Sequence, residues 1–422
     1  MSAIIDGTSA SSLSGTLAVT GALSSASTIT DTIGNVRVTP ANAQSGAYVL
    51  VAADLGKYIS ITTGGVTVPA SIFSIGDTIR VYNNSASSQT ITQGASVTLY
   101  TSGTSTTGNI KIAQRSVVTI LCVASNTFVI SGIVLPTLVP VDYLIVAGGG
   151  GGGGSAQSPG GGGGGAGGLL TSTTSLAATT SYTVTVGAGG TGGLGNTPTG
   201  SGTSGANSVL SSLTAIGGGR GGAYSAGAGA TGGSGGGEGY DQGAGSGTSG
   251  QGFAGGTAGV ITSQNGAGGG GAGAVGSNAN GGATSVGGAG GVGLANSISG
   301  SSVFYAGGGG GGNGYQGSTT TASAGGNGGG GAGGKTVATA AADGTAGTAN
   351  KGGGGGGAGS VGSNLYQRNG GAGGSGVVII KVSDLFTTTF SGGVTQTSVN
   401  SGGYNIYTVT ATSTTNETVT FT

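Results

Sequence analysis

A chain in which glycine dominates about half of the length has few ways to fold. Of its 108 glycines, 91 fall between Gly148 and Gly376, in runs such as Gly148–Gly154, Gly160–Gly165, Gly307–Gly312 and Gly352–Gly357. Glycine loses more backbone freedom on ordering than any other residue. Such a stretch is therefore either a flexible tether or a packing arrangement open only to a residue without a Cβ.

Two familiar structures are excluded at once. Collagen needs a strict Gly-X-Y register and abundant proline, whereas only Pro159 and Pro198 lie inside the stretch. An α-helix loses about 1 kcal/mol per glycine. The remaining ordered option is a bundle of polyglycine-II helices, with three residues per turn and a rise of about 3.1 Å, so that a six-residue run spans roughly 19 Å. Such helices have no internal hydrogen bonds, so their amides must find partners on neighbours. Ordering costs about 1–2 kcal/mol per residue while each hydrogen bond returns about 0.5–1.5. The bundle therefore needs an apolar frame. One is present: Val141-Asp142-Tyr143-Leu144-Ile145-Val146-Ala147 enters the stretch, Val377-Val378-Ile379-Ile380-Lys381-Val382 leaves it, and Tyr182–Val186 lies near its start.

Upstream, residues 36–134 read as a small β-sandwich or barrel. Asp77–Tyr82 alternates apolar and polar residues with the period of a half-buried strand. Val117–Val123 is nearly all apolar and is expected to be central and buried, with Cys122 as a small core residue. Residues 1–35 alternate short apolar residues with hydroxyls and read as a β arm. The expected fold is all-β: this arm (1–35), the β-rich spacer (36–134), a linker (135–142), the polyglycine-II bundle (143–382) and a short C-terminal β element (383–422).

Composition narrows function. Ten basic residues balance ten acidic ones, so nothing suggests nucleic acid or an anionic lipid surface. There is no histidine and a single cysteine, which removes the common zinc, haem and triad chemistries. No run approaches the roughly 20 apolar residues of a membrane helix, and no signal-peptide pattern opens the chain. Gly329-x-x-x-x-Gly334-Lys335-Thr336 matches the phosphate-binding loop and Gly217-x-Gly219-x-x-Gly222 the dinucleotide fingerprint, but among so many glycines both arise for free, and no apolar strand precedes the first. Glu238 and Asp241 form the close acidic pair of the glycine stretch; a glycosidase would need two carboxylates about 5–10 Å apart, and a solvated loop is the simpler reading.

Val141–Ala147 followed by glycines, Ser181–Gly190, Tyr305-Ala306 with its glycines, and the closing Gly374–Ile380 together resemble the glycine-rich domain of bacteriophage tail fibres and adhesins. Ile59–Ala70 and Val81–Ser85 resemble a β-rich module of such fibres. The C-terminal stretch Tyr404–Phe421 departs from the pattern, resembling an element that elsewhere precedes the glycine domain. The resemblance implies a homotrimeric virion protein of the tail, made in the host cytoplasm. It would attach to tail or baseplate proteins through the N-terminal region and bind a host surface receptor (a glycan or an outer-membrane protein) through loops, without enzymatic activity, cofactor or metal. A purely structural fibre spacer and, less favoured, a capsule depolymerase are the alternatives. Candidate receptor contacts are the polar and aromatic residues that interrupt the glycine: Arg220 and Tyr224; Glu238, Tyr240 and Asp241; Tyr315 and Gln316; Tyr366, Gln367 and Arg368. Tyrosine offers rigid contact area and a hydrogen bond at little entropic cost.

Overall fold

The computed structural model describes residues 39–422, apart from 106, 136–137, 156–158, 196–199, 224–226, 259–263, 280–285, 316–320, 338–339 and 362–367. The chain forms two compact units, Met1–Leu135 and Pro136–Thr422. The N-terminal arm, 1–35, lies outside the described residues.

The first unit contains β1 (Ala41–Gln44), β2 (Tyr48–Val49), β3 (Tyr58–Ile61), β4 (Val66–Val68), β5 (Thr78–Asn83), β6 (Gln89–Gln93), β7 (Thr98–Thr101), β8 (Ile110–Ile112), β9 (Val117–Ala124), β10 (Thr127–Gly132) and β11 (Val134–Leu135). The first six strands alternate between two sheets. In one, β1, β3 and β5 pair in parallel; in the other, β2, β4 and β6 do the same. Antiparallel β9 and β10, with β7 parallel to β10, complete the first layer and antiparallel β8 and β11 the second, giving the orders β1-β3-β5-β9-β10-β7 and β11-β8-β6-β4-β2. Alternation explains the core: Ile79 and Val81 of β5 point inward with Ile59, Ile61, Ile91, Leu99 and Phe128, while Thr78 and Arg80 face solvent. Strand β9 is central as its composition suggests, but only one of its faces is covered. Val118, Ile120 and Cys122 are buried, whereas Val117, Leu121 and Val123 are exposed. An apolar run is therefore not the mark of two-sided burial here. Cys122 is a buried free thiol, and burial raises its pKa.

The second unit contains β12 (Leu138–Val146), β13 (Leu169–Ala177), β14 (Ser181–Thr185), β15 (Ser208–Leu210), β16 (Leu213–Ala215), β17 (Leu294–Asn296), β18 (Val303–Tyr305), β19 (Thr336–Val337), β20 (Ala340–Ala341), β21 (Val377–Ser383), β22 (Thr388–Phe390), β23 (Val394–Ser401), β24 (Tyr404–Thr412) and β25 (Thr418–Phe421). The two framing strands, β12 and β21, pair antiparallel from Val141↔Val382 to Val146↔Val377. They sit at the centre of the sheet β13-β12-β21-β24-β23; a second sheet has the order β16-β15-β14-β25-β22. The C-terminal strands thus enter both sheets: β24 pairs with β21 and β25 with β14. Leu144, Val146, Val377 and Ile379 are buried against Ala166, Leu169, Ala272, Tyr305 and Ala306, which joins the frame to the first residues of the glycine segments.

The expected polyglycine-II helix bundle is corrected by the structure. Among the described residues there is no α-helix and one short 3-10 turn, Ala52–Asp54 in the first unit; the regular elements of the second unit are strands in small sheets. The physical reason is that regular ladders form where residues with side chains can alternate and pack, as in the framing strands, while the glycine runs between them carry no regular element and their amides bond to several other segments. Gly149, Gly152 and Ser155 donate to Gly374, Gly371 and Arg368; Gly150 and Gly153 to Gly165 and Gly162; Gly148, Gly151 and Gly154 to Ala206, Thr203 and Gly200, all at 2.7–3.0 Å. The carbonyls of the same segment receive from three more: Gly148 and Gly151 from Gly218 and Gly221, Gly149 and Gly152 from Gly190 and Gly193, Gly150 and Gly153 from Gly355 and Ala358. A sheet strand has two neighbours; this segment has six. That approach leaves no room for a side chain, since a Cβ on Gly151 would lie 1.9 Å from the Thr191 carbonyl oxygen and one on Gly357 1.9 Å from that of Gly161.

Candidate functional site

The segments run from the framing sheet to an opposite end, which the hydrogen bonds identify. At the sheet end, Ala147 bonds to Gly168 and Gly376 to Gly187. At the far end, Ser155 and Arg368 bond to each other, Gly154 to Gly200, Gly160 to Gln264, and Ala223 to Gly227. These far-end residues flank the connections between segments, so the described ends of those connections gather on one side of the unit.

Here the glycine stops and polar side chains take over the backbone's unmet groups. Asn313 follows the run Gly307–Gly312 and is fully buried. Its Oδ1 accepts from the Gly287 amide at 3.0 Å and its Nδ2 donates to the Thr321 carbonyl at 2.9 Å. Asn265 precedes Gly266, and its Oδ1 accepts from the Gly314 amide at 2.7 Å. Thr336 Oγ1 lies 3.1 Å from the Asn313 carbonyl and 3.0 Å from that of Ser360, and Ser323 donates to the Gly311 carbonyl. A buried polar group without a partner costs about 1–3 kcal/mol, so these side chains end each segment at a defined place. This layer contains none of the polar and aromatic candidates named from the sequence. The available signal was positional, because Ser155, Asn265, Asn313 and Ser360 each stand at the edge of a glycine run.

Glu238, Tyr240, Asp241, Tyr315 and Arg368 are all placed at or beside this end. Glu238 faces inward: it is 7% exposed, and its carboxylate oxygens accept from the Gly243 amide at 2.9 Å and the Ala258 amide at 2.7 Å. It holds the turn that carries Tyr240 and Asp241, whose backbone at Asp241 has φ +38°. Asp241 is exposed and Tyr315 is 54% exposed. The Arg368 backbone is tied to Ser155, and its Nε is buried with no hydrogen-bond partner among the described residues. The Arg220 backbone lies further back along its segment, where its carbonyl accepts from the Ala230 amide, but its guanidinium reaches Gly227 at the far end, where a Cβ would lie 3.5 Å from Nη2. Tyr224, Gln316, Tyr366 and Gln367 lie outside the described residues. Among the described residues no group of three or more His, Cys, Asp or Glu could hold a metal ion.

A glycine-rich domain family matches residues 127–383, more than half of the chain. The chain belongs to the glycine-rich domain family. The match opens within β10 and closes at the end of β21, so the glycine-rich domain includes both framing strands as well as the segments between them. It carries no statement about tail fibres or receptors. No curated protein matches the chain. In the glycine-rich domain, then, a side chain added within a segment meets a carbonyl, as at Gly151 and Gly357, whereas Asp241 and Tyr315 at the polar-capped end stand exposed.

Proposed function

We propose that this chain is a bacteriophage tail-fibre adhesin that recognises a host surface receptor with the far end of its glycine-rich domain, without catalysis or cofactor. The observation that carries the reading is the gathering of exposed Asp241 and Tyr315, with Tyr240 beside them, at the end where the connections between segments begin and where a buried polar layer holds their bases. Recognition groups on connections set upon a rigid scaffold are the usual arrangement of binding surfaces. The resemblance of the framing strands to those of phage adhesins supplies the biological setting: virion tail, attachment through the N-terminal region, and a homotrimeric assembly.

The experiment is binding of the purified full-length chain, fluorescently labelled, to a panel of bacteria, with the Tyr315→Ala/Asp241→Ala double variant alongside. Saturable binding to some strains, reduced at least about tenfold in the variant, which amounts to about 1.4 kcal/mol, supports the adhesin. Absence of binding across hosts that the parent phage infects points instead to a structural spacer. Release of oligosaccharide from those cells would replace the reading with a depolymerase.

A further inference from the structure

Five asparagines of this chain are followed by glycine: Asn265, Asn280, Asn313, Asn327 and Asn369. In such a pair the backbone nitrogen of the second residue stands one ring closure from the side-chain amide carbon of the first, and a glycine there puts no Cβ in the way. Whether the ring closes depends on how firmly the fold holds the two groups. Asn280 lies outside the described residues.

In three of the other pairs both groups are held. Asn265 is buried and its Oδ1 accepts from the Gly314 amide at 2.7 Å, while the Gly266 amide donates to the Gly312 carbonyl at 2.9 Å. Asn313 is buried and bonded through its Oδ1 and its Nδ2, and the Gly314 amide is the one that Asn265 receives. Asn369 is exposed, but its Oδ1 accepts from the Gly195 amide at 3.0 Å and the Gly370 amide donates to the Gly193 carbonyl at 2.9 Å.

Asn327 differs. It is exposed, in a turn closed by the Gly330 amide on the Gly326 carbonyl at 3.1 Å. The carbonyls of this pair are held, Asn327 accepting from Gly293 at 2.7 Å and Gly328 from Gly307 at 3.2 Å. Among the described residues, neither the Asn327 side chain nor the Gly328 nitrogen has a hydrogen-bond partner. A cation stands beside the turn: a Cβ on Gly329 would lie 3.0 Å from the Lys351 Cβ and 3.4 Å from its Cδ. The ion pair found among the described residues joins Lys381 to Asp142, so Lys351 has no carboxylate of its own there.

We propose that Asn327-Gly328 is a site of spontaneous deamidation, at which the folded chain exchanges an amide for a carboxylate beside Lys351. The Gly328 nitrogen gives its proton to water and attacks the Asn327 Cγ; a C–N bond forms, and the side-chain nitrogen leaves as ammonia with a proton from water. Water then adds to one carbonyl of the resulting succinimide and breaks that carbon's bond to the ring nitrogen, which takes up a proton. The product is an aspartate or an isoaspartate, according to which carbonyl is attacked, and nothing is oxidised or reduced. The Lys351 charge favours the negative charge that develops on the side-chain oxygen and then the carboxylate itself. From Gln242 to Gly334 the sequence has no charged side chain, so the reaction places the first charge in that run and takes the chain from formal neutrality to a net negative charge. The proposal does not rest on the adhesin reading.

The test is incubation of the folded full chain at mildly alkaline pH, followed by chymotryptic digestion and mass spectrometry of the asparagine-glycine peptides. Asn327 is expected to show the amide-to-acid mass gain at least about tenfold faster than Asn265, Asn313 and Asn369, a difference of about 1.4 kcal/mol in barrier. In urea, where the bonds that hold those three are gone, the four sites are expected to convert at similar rates. An acidic species on ion exchange should grow at the rate of the Asn327 peptide and be absent from Asn327→Gln, whose longer side chain closes a less favourable ring. Lys351→Met should slow conversion at Asn327 by about two- to fivefold, the size of an exposed charge interaction; an unchanged rate would overturn the part given to the lysine. Equal rates at the four sites in the folded chain, or an Asn327 that stays intact while the urea-unfolded chain converts, would overturn the proposal.

Discussion

Ser155 and Arg368 exchange a pair of backbone hydrogen bonds, with the Ser155 amide 2.9 Å from the Arg368 carbonyl and the Arg368 amide 3.3 Å from that of Ser155. The same two segments leave and re-enter the framing sheet at the paired residues Val146 and Val377. They therefore run side by side over their whole length, pinned at one end by an apolar ladder and at the other by a two-bond bridge. Between these pins the contact consists of backbone meeting backbone, and the first expectation concerns that contact.

Gly152→Ala places a Cβ 2.1 Å from the Gly356 carbonyl oxygen, a distance that only movement of backbone can relieve. Because Gly152 is bonded on several sides, such movement disturbs more than one neighbour. The substitution is expected to cost at least about 1–3 kcal/mol, the range for overpacked cores. Gly392→Ala meets nothing within 4 Å and should be near neutral. Urea unfolding of the two variants against wild type measures the contrast; equal stability would show that the segments are looser than described.

Asn313→Ala removes one acceptor and one donor at once, taking away the bonds to the Gly287 amide and the Thr321 carbonyl. The expected loss is about 1–3 kcal/mol. Asn313→Asp retains an acceptor for the Gly287 amide but buries a carboxylate with one oxygen set against the Thr321 carbonyl, so at neutral pH it should be at least as destabilising as alanine. Exchange protection at Gly287, read by mass spectrometry, is expected to follow the same order.

Glu238 and its neighbours should separate by assay. Glu238→Ala deletes the carboxylate that receives two backbone amides and is expected to lower stability by about 1.5–3 kcal/mol, as for hydrogen bonds to a charged group. Tyr315→Ala, at an exposed position, should leave the unfolding midpoint unchanged and lower cell binding. The reverse pattern, with Tyr315→Ala destabilising and Glu238→Ala silent, would reverse their assigned parts.

Glu417 sets an acid dependence for the C-terminal strands. Hydrogen bonds from Ser391 first, then Ser413, with Thr414 and the Gly393 amide adding to them, hold its pKa below the ordinary 4.5 while burial opposes them. A carboxylate whose folded pKa is depressed contributes stability that is present above its unfolded pKa and is lost as pH falls through the folded value. Wild type should therefore lose stability relative to Glu417→Gln as pH drops below about 4.5, and the difference between their denaturation midpoints should be constant above that. A difference that does not change with pH would remove Glu417 as its source.

Some of this architecture was legible because it depends on neighbours in sequence. The alternation in Asp77–Tyr82 marks a half-buried strand, and Val141–Val146 and Val377–Val382 stand out as paired apolar strands at the two borders of the glycine. Val117–Val123 misleads, because composition cannot tell whether a second layer covers the outer face of β9. The candidate site was legible only in part: interruptions of the glycine at Tyr240, Asp241 and Tyr315 do fall at one end, but Glu238 turns inward, and the buried layer of Asn265, Asn313 and Ser360 was overlooked because amides and hydroxyls are common in any such sequence.

By itself, then, the sequence determined that the glycine-rich stretch is framed by two apolar strands, that the chain has no histidine and no second cysteine to pair with Cys122, and that side chains are excluded from the runs. The tertiary structure decided what those runs become. A glycine amide carries no mark of its partner, and Gly152 is bonded to Gly371 and Gly193 through the fold rather than through any local pattern. Helix and strand propensities are properties of a residue and its near neighbours, whereas a segment with six neighbours exists only once all of them are in place.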